Sequence, residues 1–370
     1  MSKKMLLLIR RCNTMTRRKK RQKKLMILFI ILGLIILASG SIYFFLFKKP
    51  LPKMFDSKPD DMVVEPEKKV KIIDEESKSR PYAIMINNNS AVWKYQSGLN
   101  EAYMIYEMLV EGGITREMAL YRDANTEKIA SIRSSRHYFL DYALENDAIY
   151  AHWGWSPKAQ SDIRTLGINN INGLTYEGSY FFRDNSIKGL AYEHRGYTSM
   201  ESLRKAVTKL NYRTTTDKGV LLKYDPEKID LSEHGSTGDA KYIEVPYSSS
   251  YTAKFFYDEE TGMYKKSQNK DELYDYTSKD RIVTKNIILY NVGYKTIDSK
   301  GRLDMQNTGS GNGVFITEGK STPITWEKSS RSTKTIYKYE DGQELVVNDG
   351  STYIGLMPSN KQAKISEVLP

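Results

Sequence analysis

The sequence predicts an α/β N-terminal domain with a mixed or partly parallel sheet, followed by a mainly β C-terminal domain, both behind a single N-terminal transmembrane helix. Three observations predict it. Strand and helix signals alternate between Pro81 and Gly167. Past about Leu210, short segments rich in Val, Ile, Tyr and Thr are separated by Gly and Asp turns. Leu25 to Phe47 runs 23 residues without a charge.

The uncharged run follows a tail, Met1 to Lys24, that holds eleven Lys and Arg residues and no Asp or Glu. At about 1.5 Å per residue the run reaches roughly 34 Å, enough to cross a hydrocarbon core of about 30 Å. A basic flank stays cytoplasmic, so the expected location is the cell membrane, single-pass, with residues 48–370 extracellular. A secretory apolar region is usually about 7–15 residues, shorter than this one, so the anchor is expected to be retained although Ala38-Ser39-Gly40-Ser41 offers small residues for cleavage.

The single cysteine, Cys12, lies in the tail. The exported part therefore has no lipid-attachment cysteine and no disulfides, and core burial must hold it together. The formal charge of +11 has the same origin: the tail holds eleven of the 56 basic residues, and the remaining 45 match the 45 acidic ones, all beyond Phe47. An exported body with no net charge argues against nucleic acid as a partner.

Residues 48–79 combine Pro50, Pro52, Pro59 and Pro66 with dense mixed charge, which predicts a flexible stalk. The α/β domain is expected over 80–235. Pro81 to Asn87 is an apolar strand closed by Asn87-Asn88-Asn89. Ser97 is placed to cap a helix with apolar positions Leu99, Ala102, Tyr103, Tyr106, Leu109 and Val110, ended by Gly112-Gly113. Ile114 to Arg122 has period two, with Arg116 and Arg122 near the ends of its apolar face. Strands at 128–133 and 147–152 flank a helix at 135–146, and Ser156-Pro157 starts a helix that Gly167 ends. The β domain is expected over 236–358, with 359–370 as a tail, and Gly309-Ser310-Gly311-Asn312-Gly313 as a flexible turn within it.

If 128–133 and 147–152 are neighbouring parallel strands, both end at one edge of the sheet, where ligands of open α/β sheets bind. Arg133-Ser134-Ser135-Arg136-His137 then meets His152-Trp153-Gly154-Trp155-Ser156-Pro157. The candidate anion site is Arg116, Arg133, Ser134, Ser135, Arg136, His152, Trp153, Trp155 and His194, with Glu107, Glu111 and Asp141 as supporting carboxylates. The same residues also suit a structural role: arginines paired with those carboxylates, a hydrogen-bonded strand-end histidine, and tryptophans packed in a core. Both readings stay open. No cofactor or metal is expected, because the chain has no His-Glu-x-x-His pair, cysteine pair, phosphate loop or calcium loop. Gly154-Trp155-Ser156-Pro157 is not a nucleophile elbow, since proline would remove an oxyanion donor.

Arg80-Pro81-Tyr82-Ala83-Ile84-Met85-Ile86-Asn87-Asn88, Ser97-Gly98-Leu99 leading to Tyr106-Glu107, Glu111-Gly112-Gly113-Ile114-Thr115-Arg116 and Ile132-Arg133-Ser134-Ser135-Arg136 resemble successive motifs of the YerB-like lipoprotein family of Gram-positive bacteria. His194 with Tyr197-Thr198-Ser199, and the region after Asp239, resemble later parts of it, so the resemblance covers roughly residues 80–358. It implies separate N- and C-terminal family domains of unknown function and an envelope location. Family members commonly carry a lipidated cysteine, which this chain lacks at that place. The leading expectation is a non-enzymatic binding or scaffold protein for an anionic wall polymer or another envelope protein. The alternatives are a phosphotransferase or hydrolase acting on lipid-linked or phosphate-bearing wall precursors, and a structural spacer.

Overall fold

Strands from both halves of the chain enter one 11-stranded sheet, which organises residues 69–370, the part that the computed structural model describes. The first half supplies β1 (Tyr82–Asn87), β2 (Met104–Leu109), β3 (Thr115–Tyr121), β4 (Ile149–His152) and β5 (Asn170–Asn172). The helices among and after them include α1 (Leu140–Glu145), α2 (Pro157–Thr165) and α3 (Met200–Lys209), with a single turn at Gly173–Tyr176. The hairpin strands β6 (Tyr242–Pro246), β7 (Thr252–Asp258) and β8 (Met263–Gln268) follow. The second half ends with β9 (Asn286–Val292), β10 (Gly309–Thr317), β11 (Lys320–Lys328), β12 (Ile336–Tyr339), β13 (Thr352–Pro358) and β14 (Lys364–Ser366).

The large sheet has the order Gly238–Asp239, β11, β10, β9, β13, β2, β3, β1, β4, β5, with β12 beside β11. At its centre β13 runs parallel to both neighbours, so that Ile354 faces Ile288 of β9 on one side and Tyr106 of β2 on the other. A six-stranded antiparallel sheet carries β8, β7, β6 and β14. One hydrophobic cluster holds Ile84 and Tyr106 from the first half together with Ile288 and Leu356 from the second.

This architecture corrects the predicted fold class. The described chain is not an α/β domain followed by a separate β domain, because β13 is hydrogen-bonded into the middle of the sheet that β1 to β5 begin. Strands buried on both faces read as continuous apolar runs, which carry no record of their partner. The predicted transmembrane helix at Leu25–Phe47 lies outside the described residues, as do the basic tail and most of the stalk. Among the described residues no helix is long and apolar enough to cross a membrane.

Local corrections have similar causes. The helix expected from Ser97 is a short turn at Leu99–Glu101 followed by β2, every residue of which is buried. Full burial makes any spacing look apolar, so the helical period there was a coincidence of composition. Within 128–133 only Ile129–Ala130 forms a strand, in a small sheet with Phe182–Arg183 and Gly196–Thr198. The parallel neighbours of β4 are instead β1 and β5. Gly309–Gly313 opens β10 rather than a flexible turn. A Cβ on Gly311 would lie 2.9 Å from Trp326 Nε1, and one on Gly313 would lie 2.7 Å from the Leu289 carbonyl. Both ends of the described stretch also join the body: Ile73 is buried, the Lys71 and Ile72 amides donate to Asp349, and β14 pairs with β6.

Ser156 caps α2 as its spacing predicts, its Oγ accepting from the Ala159 amide with Pro157 in the first turn. Because β1 and β2 both run antiparallel to β3, and β4 and β5 run parallel to β1, the carboxyl ends of β1, β2, β4 and β5 share one edge with the start of β3. That edge positions the candidate site.

Candidate functional site

The 131–136 segment acts as an extra rung at this edge. The Asn87 amide donates to the Ser131 carbonyl at 2.8 Å and the Arg133 amide to Met85 at 3.0 Å. On its other side the Trp153 amide donates to Arg133 (3.0 Å), Ser135 to Gly154 (2.9 Å) and Ser156 to Ser135 (3.1 Å). Ser134 Oγ adds a bond to the Trp153 carbonyl at 3.0 Å. The two predicted junctions therefore meet, through this rung and not through the strand pairing that the sequence suggested.

Three arginines converge here. Arg116, at the start of β3, is 6% exposed; its Nη1 donates to the Ser134 carbonyl at 2.6 Å, and its buried Nε has no partner. Arg136 grips Glu111 with two bonds, Nε to Oε1 at 2.6 Å and Nη2 to Oε2 at 2.7 Å. Arg133 is half-buried and reaches only the Glu193 carbonyl, at 3.3 Å. Among the described residues Glu111 is the one carboxylate in ion-pair contact with any of the three.

The electrostatics follow from that imbalance. Burial lowers the Arg116 pKa to about 9, with Arg136 and Arg133 adding repulsion and Tyr138 and Glu111 opposing it, yet the group still carries its charge at neutral pH. Burial lowers Arg133 as well, opposed by attraction to Glu193 and reinforced by repulsion from Arg136 and Arg183. Burial pulls the Glu111 carboxyl upward, but its bonds to Arg136 outweigh that and hold it below the usual carboxylate range.

His194 stands beside Arg133. Its Nδ1 is 2.9 Å from Asn87 Nδ2, and the Asn87 amide is oriented by the Asn89 N–H, which donates to Oδ1. An amide nitrogen only donates, so His194 accepts at Nδ1 and carries its proton on Nε2. Burial, then repulsion from Arg133, keeps this ring neutral.

Other predicted site residues serve the framework. His152 is fully buried, donating from Nδ1 to the Gly154 carbonyl at 2.7 Å with Nε2 3.2 Å from Asn170, and burial pushes its pKa down to about 4. Trp153 is buried against Phe181 with the Arg183 guanidinium 3.7 Å above its ring. Trp155 packs half-buried on His152. Ser135 is buried, its Oγ taking the Tyr150 hydroxyl proton at 2.9 Å.

Two of the expected supporting carboxylates pair elsewhere. Glu107 is buried and accepts from Asn88 (3.0 Å), Thr115 (2.6 Å), Lys266 (2.7 Å) and Tyr353 (3.0 Å). Asp141 accepts from Arg331 at 2.6 Å and from Asn307 at 3.0 Å. Sequence reasoning missed Asn87, which orients His194, because the Asn87-Asn88-Asn89 run reads only as a turn. It also missed Arg183, whose stacking on Trp153 depends on two distant segments meeting.

Comparison with known proteins shows likeness in both sequence and fold. The N-terminal domain of the protein family of unknown function DUF3048 matches residues 70–213, and the C-terminal domain of the same family matches 243–354. A Bacillus subtilis (strain 168) protein named "Putative lipoprotein YerB" is 27% identical over 291 residues, 78% of this chain and 84% of that protein. The crystal structure of the YerB protein from Bacillus subtilis superposes with a TM-score of 0.68 at 26% identity, covering 78% of this chain and 94% of the other. The chain belongs to the YerB-like DUF3048 family, whose function is unknown, and carries both of its domains.

Proposed function

We propose that the protein works in the cell envelope outside the cytoplasm, attached to the membrane through Leu25–Phe47, and that Arg116, Arg133 and Arg136 bind an anionic envelope ligand. The observation that carries the binding reading is the charge count among the described residues: Glu111 is the one carboxylate in ion-pair contact with three guanidinium groups, and a buried Arg116 Nε lacks an acceptor. Buried cations are normally neutralised, so an incoming phosphate or carboxylate would supply the missing acceptors. His194 Nε2 adds a neutral donor beside it. The envelope reading is supported by the relative named as a lipoprotein, by the basic tail before an uncharged stretch, and by a body without cysteine.

The test uses the full chain in detergent with a synthetic glycerol-phosphate oligomer as probe. Binding should weaken as salt rises, and Arg133→Ala should lose at least about tenfold in affinity, the scale of one charge-assisted contact. An Arg133→Ala chain that stays folded and keeps full affinity would falsify the site. For the location, a tag after Pro370 should be cut by protease added to intact cells; protection of that tag would overturn it.

A further inference from the structure

A polar cavity of about 210 Å³ opens between His137, Asp141, Lys158 and Arg331 on one side and Asp304 and Asn307 on the other. It shares no residue with the arginine cluster. Its deepest polar group is Asn307, 2% exposed. The Asn307 amide nitrogen donates to the Tyr138 carbonyl at 2.7 Å and to Asp141 Oδ2 at 3.0 Å. A carbonyl only accepts, so this amide cannot be reversed, and Oδ1 is left buried with no donor.

Asp304, a third exposed, adds a second acceptor at the rim. Its Oδ1 takes a bond of 2.7 Å from His137 Nε2, whereas its nearest ammonium, Lys295, stands 3.9 Å from Oδ2. Burial holds the His137 ring below its usual pKa, so at neutral pH it donates without neutralising the carboxylate. The cavity's own cations are unevenly engaged. Each nitrogen of Arg331 already donates, to Asp141, Asp162 and the His137 carbonyl. Lys158 is 46% exposed and only 3.4 Å from Asp162, a loose pair. Asn307 Oδ1 thus lacks a donor among the described residues, and the mouth offers a loosely held ammonium.

We propose that this cavity binds a small zwitterion with a primary ammonium group, such as a free amino acid, its ammonium held by Asn307 and Asp304 and its carboxylate facing Lys158. An ammonium supplies three donors from one compact centre, which suits two acceptors three residues apart on one segment. The volume admits a small amino acid.

Ligand-observed NMR on the full chain tests this with L-alanine, ethanolamine and propionate. Alanine should give a saturable signal, ethanolamine a weaker one and propionate none. Asp304→Asn, nearly isosteric and partly exposed, should weaken both amines about tenfold. Lys158→Ala should reduce alanine to the ethanolamine level and leave ethanolamine unchanged, and Arg133→Ala should alter neither. No saturable amine signal, equal binding of propionate, undiminished alanine binding in either cavity variant, or loss of it in Arg133→Ala would each overturn the assignment.

Discussion

Glu107 on β2 and Lys266 on β8 stand 2.7 Å apart with both side chains buried, and this contact ties the 11-stranded sheet to the six-stranded one. Lys266 also pairs with Glu117 of β3, so one buried ammonium serves two buried carboxylates. Burial, opposed by Lys266 and reinforced by Glu107, raises the Glu117 pKa. Tyr353 and Gln96 complete the ring, donating to Glu107 at 3.0 Å and to Glu117 at 3.2 Å.

Lys266→Met should therefore cost about 3–5 kcal/mol, the scale of leaving a buried charge without its partner. Urea unfolding of the full chain measures it. The double variant Lys266→Met, Glu117→Gln should recover at least about 1 kcal/mol, since it removes one stranded carboxylate. A single variant as stable as the parent would show that the two sheets do not depend on this contact.

Acid should destabilise the protein through His152. Its folded pKa, about 4, lies below the ordinary value of 6.5, so the unfolded chain takes up a proton that the folded one refuses. Stability is unaffected above the ordinary value and falls as pH drops toward the folded one, by about 2 kcal/mol between pH 7 and pH 5. His137 and His194 are shifted in the same direction and Glu117 in the opposite sense, so the variant comparison isolates the effect. His152→Asn should flatten the slope over that interval; an unchanged slope would place the proton uptake elsewhere.

Gly173→Ala should destabilise the fold by about 1–3 kcal/mol, the usual cost of overpacking. Its Cβ would lie 2.5 Å from Trp153 Cδ2, and a Cβ on Gly196 would lie 2.7 Å from Cε3 of the same ring. Arg183, 3.7 Å from the ring, restricts its escape. Thermal melts of Gly173→Ala and Gly196→Ala check this. Melting temperatures equal to the parent's would mean that Trp153 moves freely and is not fixed core.

What the sequence discloses here depends on how far each signal reaches. The Ser156-Pro157 cap is legible because every atom that it needs lies within three residues. The apolar run of β1 is legible because its turn, Asn87 to Asn89, follows at once. The sheet centre is not, because β2 and β13 are buried throughout and their pairing joins opposite ends of the body. The edge where Arg133 meets Trp153 was expected, but by way of a strand that the chain does not form there. The structural reading of Glu107 was open in sequence; Lys266 as its partner was not, since it arrives from another sheet.

Arg133 and Arg136 should separate binding from stability. Arg136 and Glu111 form a bidentate pair with both side chains mostly buried, so Arg136→Ala leaves a carboxylate without its cation and should cost about 1–3 kcal/mol at pH 7. The Glu111 pKa is held low in the folded state; the stability it provides is present above the ordinary carboxylate value and is lost as pH falls through the folded one. The deficit of Arg136→Ala should therefore shrink in acid. Among the described residues Arg133 makes no ion-pair contact with a carboxylate and one long bond, to the Glu193 carbonyl, so Arg133→Ala should stay within about 0.5 kcal/mol of the parent at any pH. Denaturant unfolding of both variants at pH 7 and pH 4 measures the contrast. Equal losses would make Arg133 part of the framework, and would remove it from the groups available to a ligand.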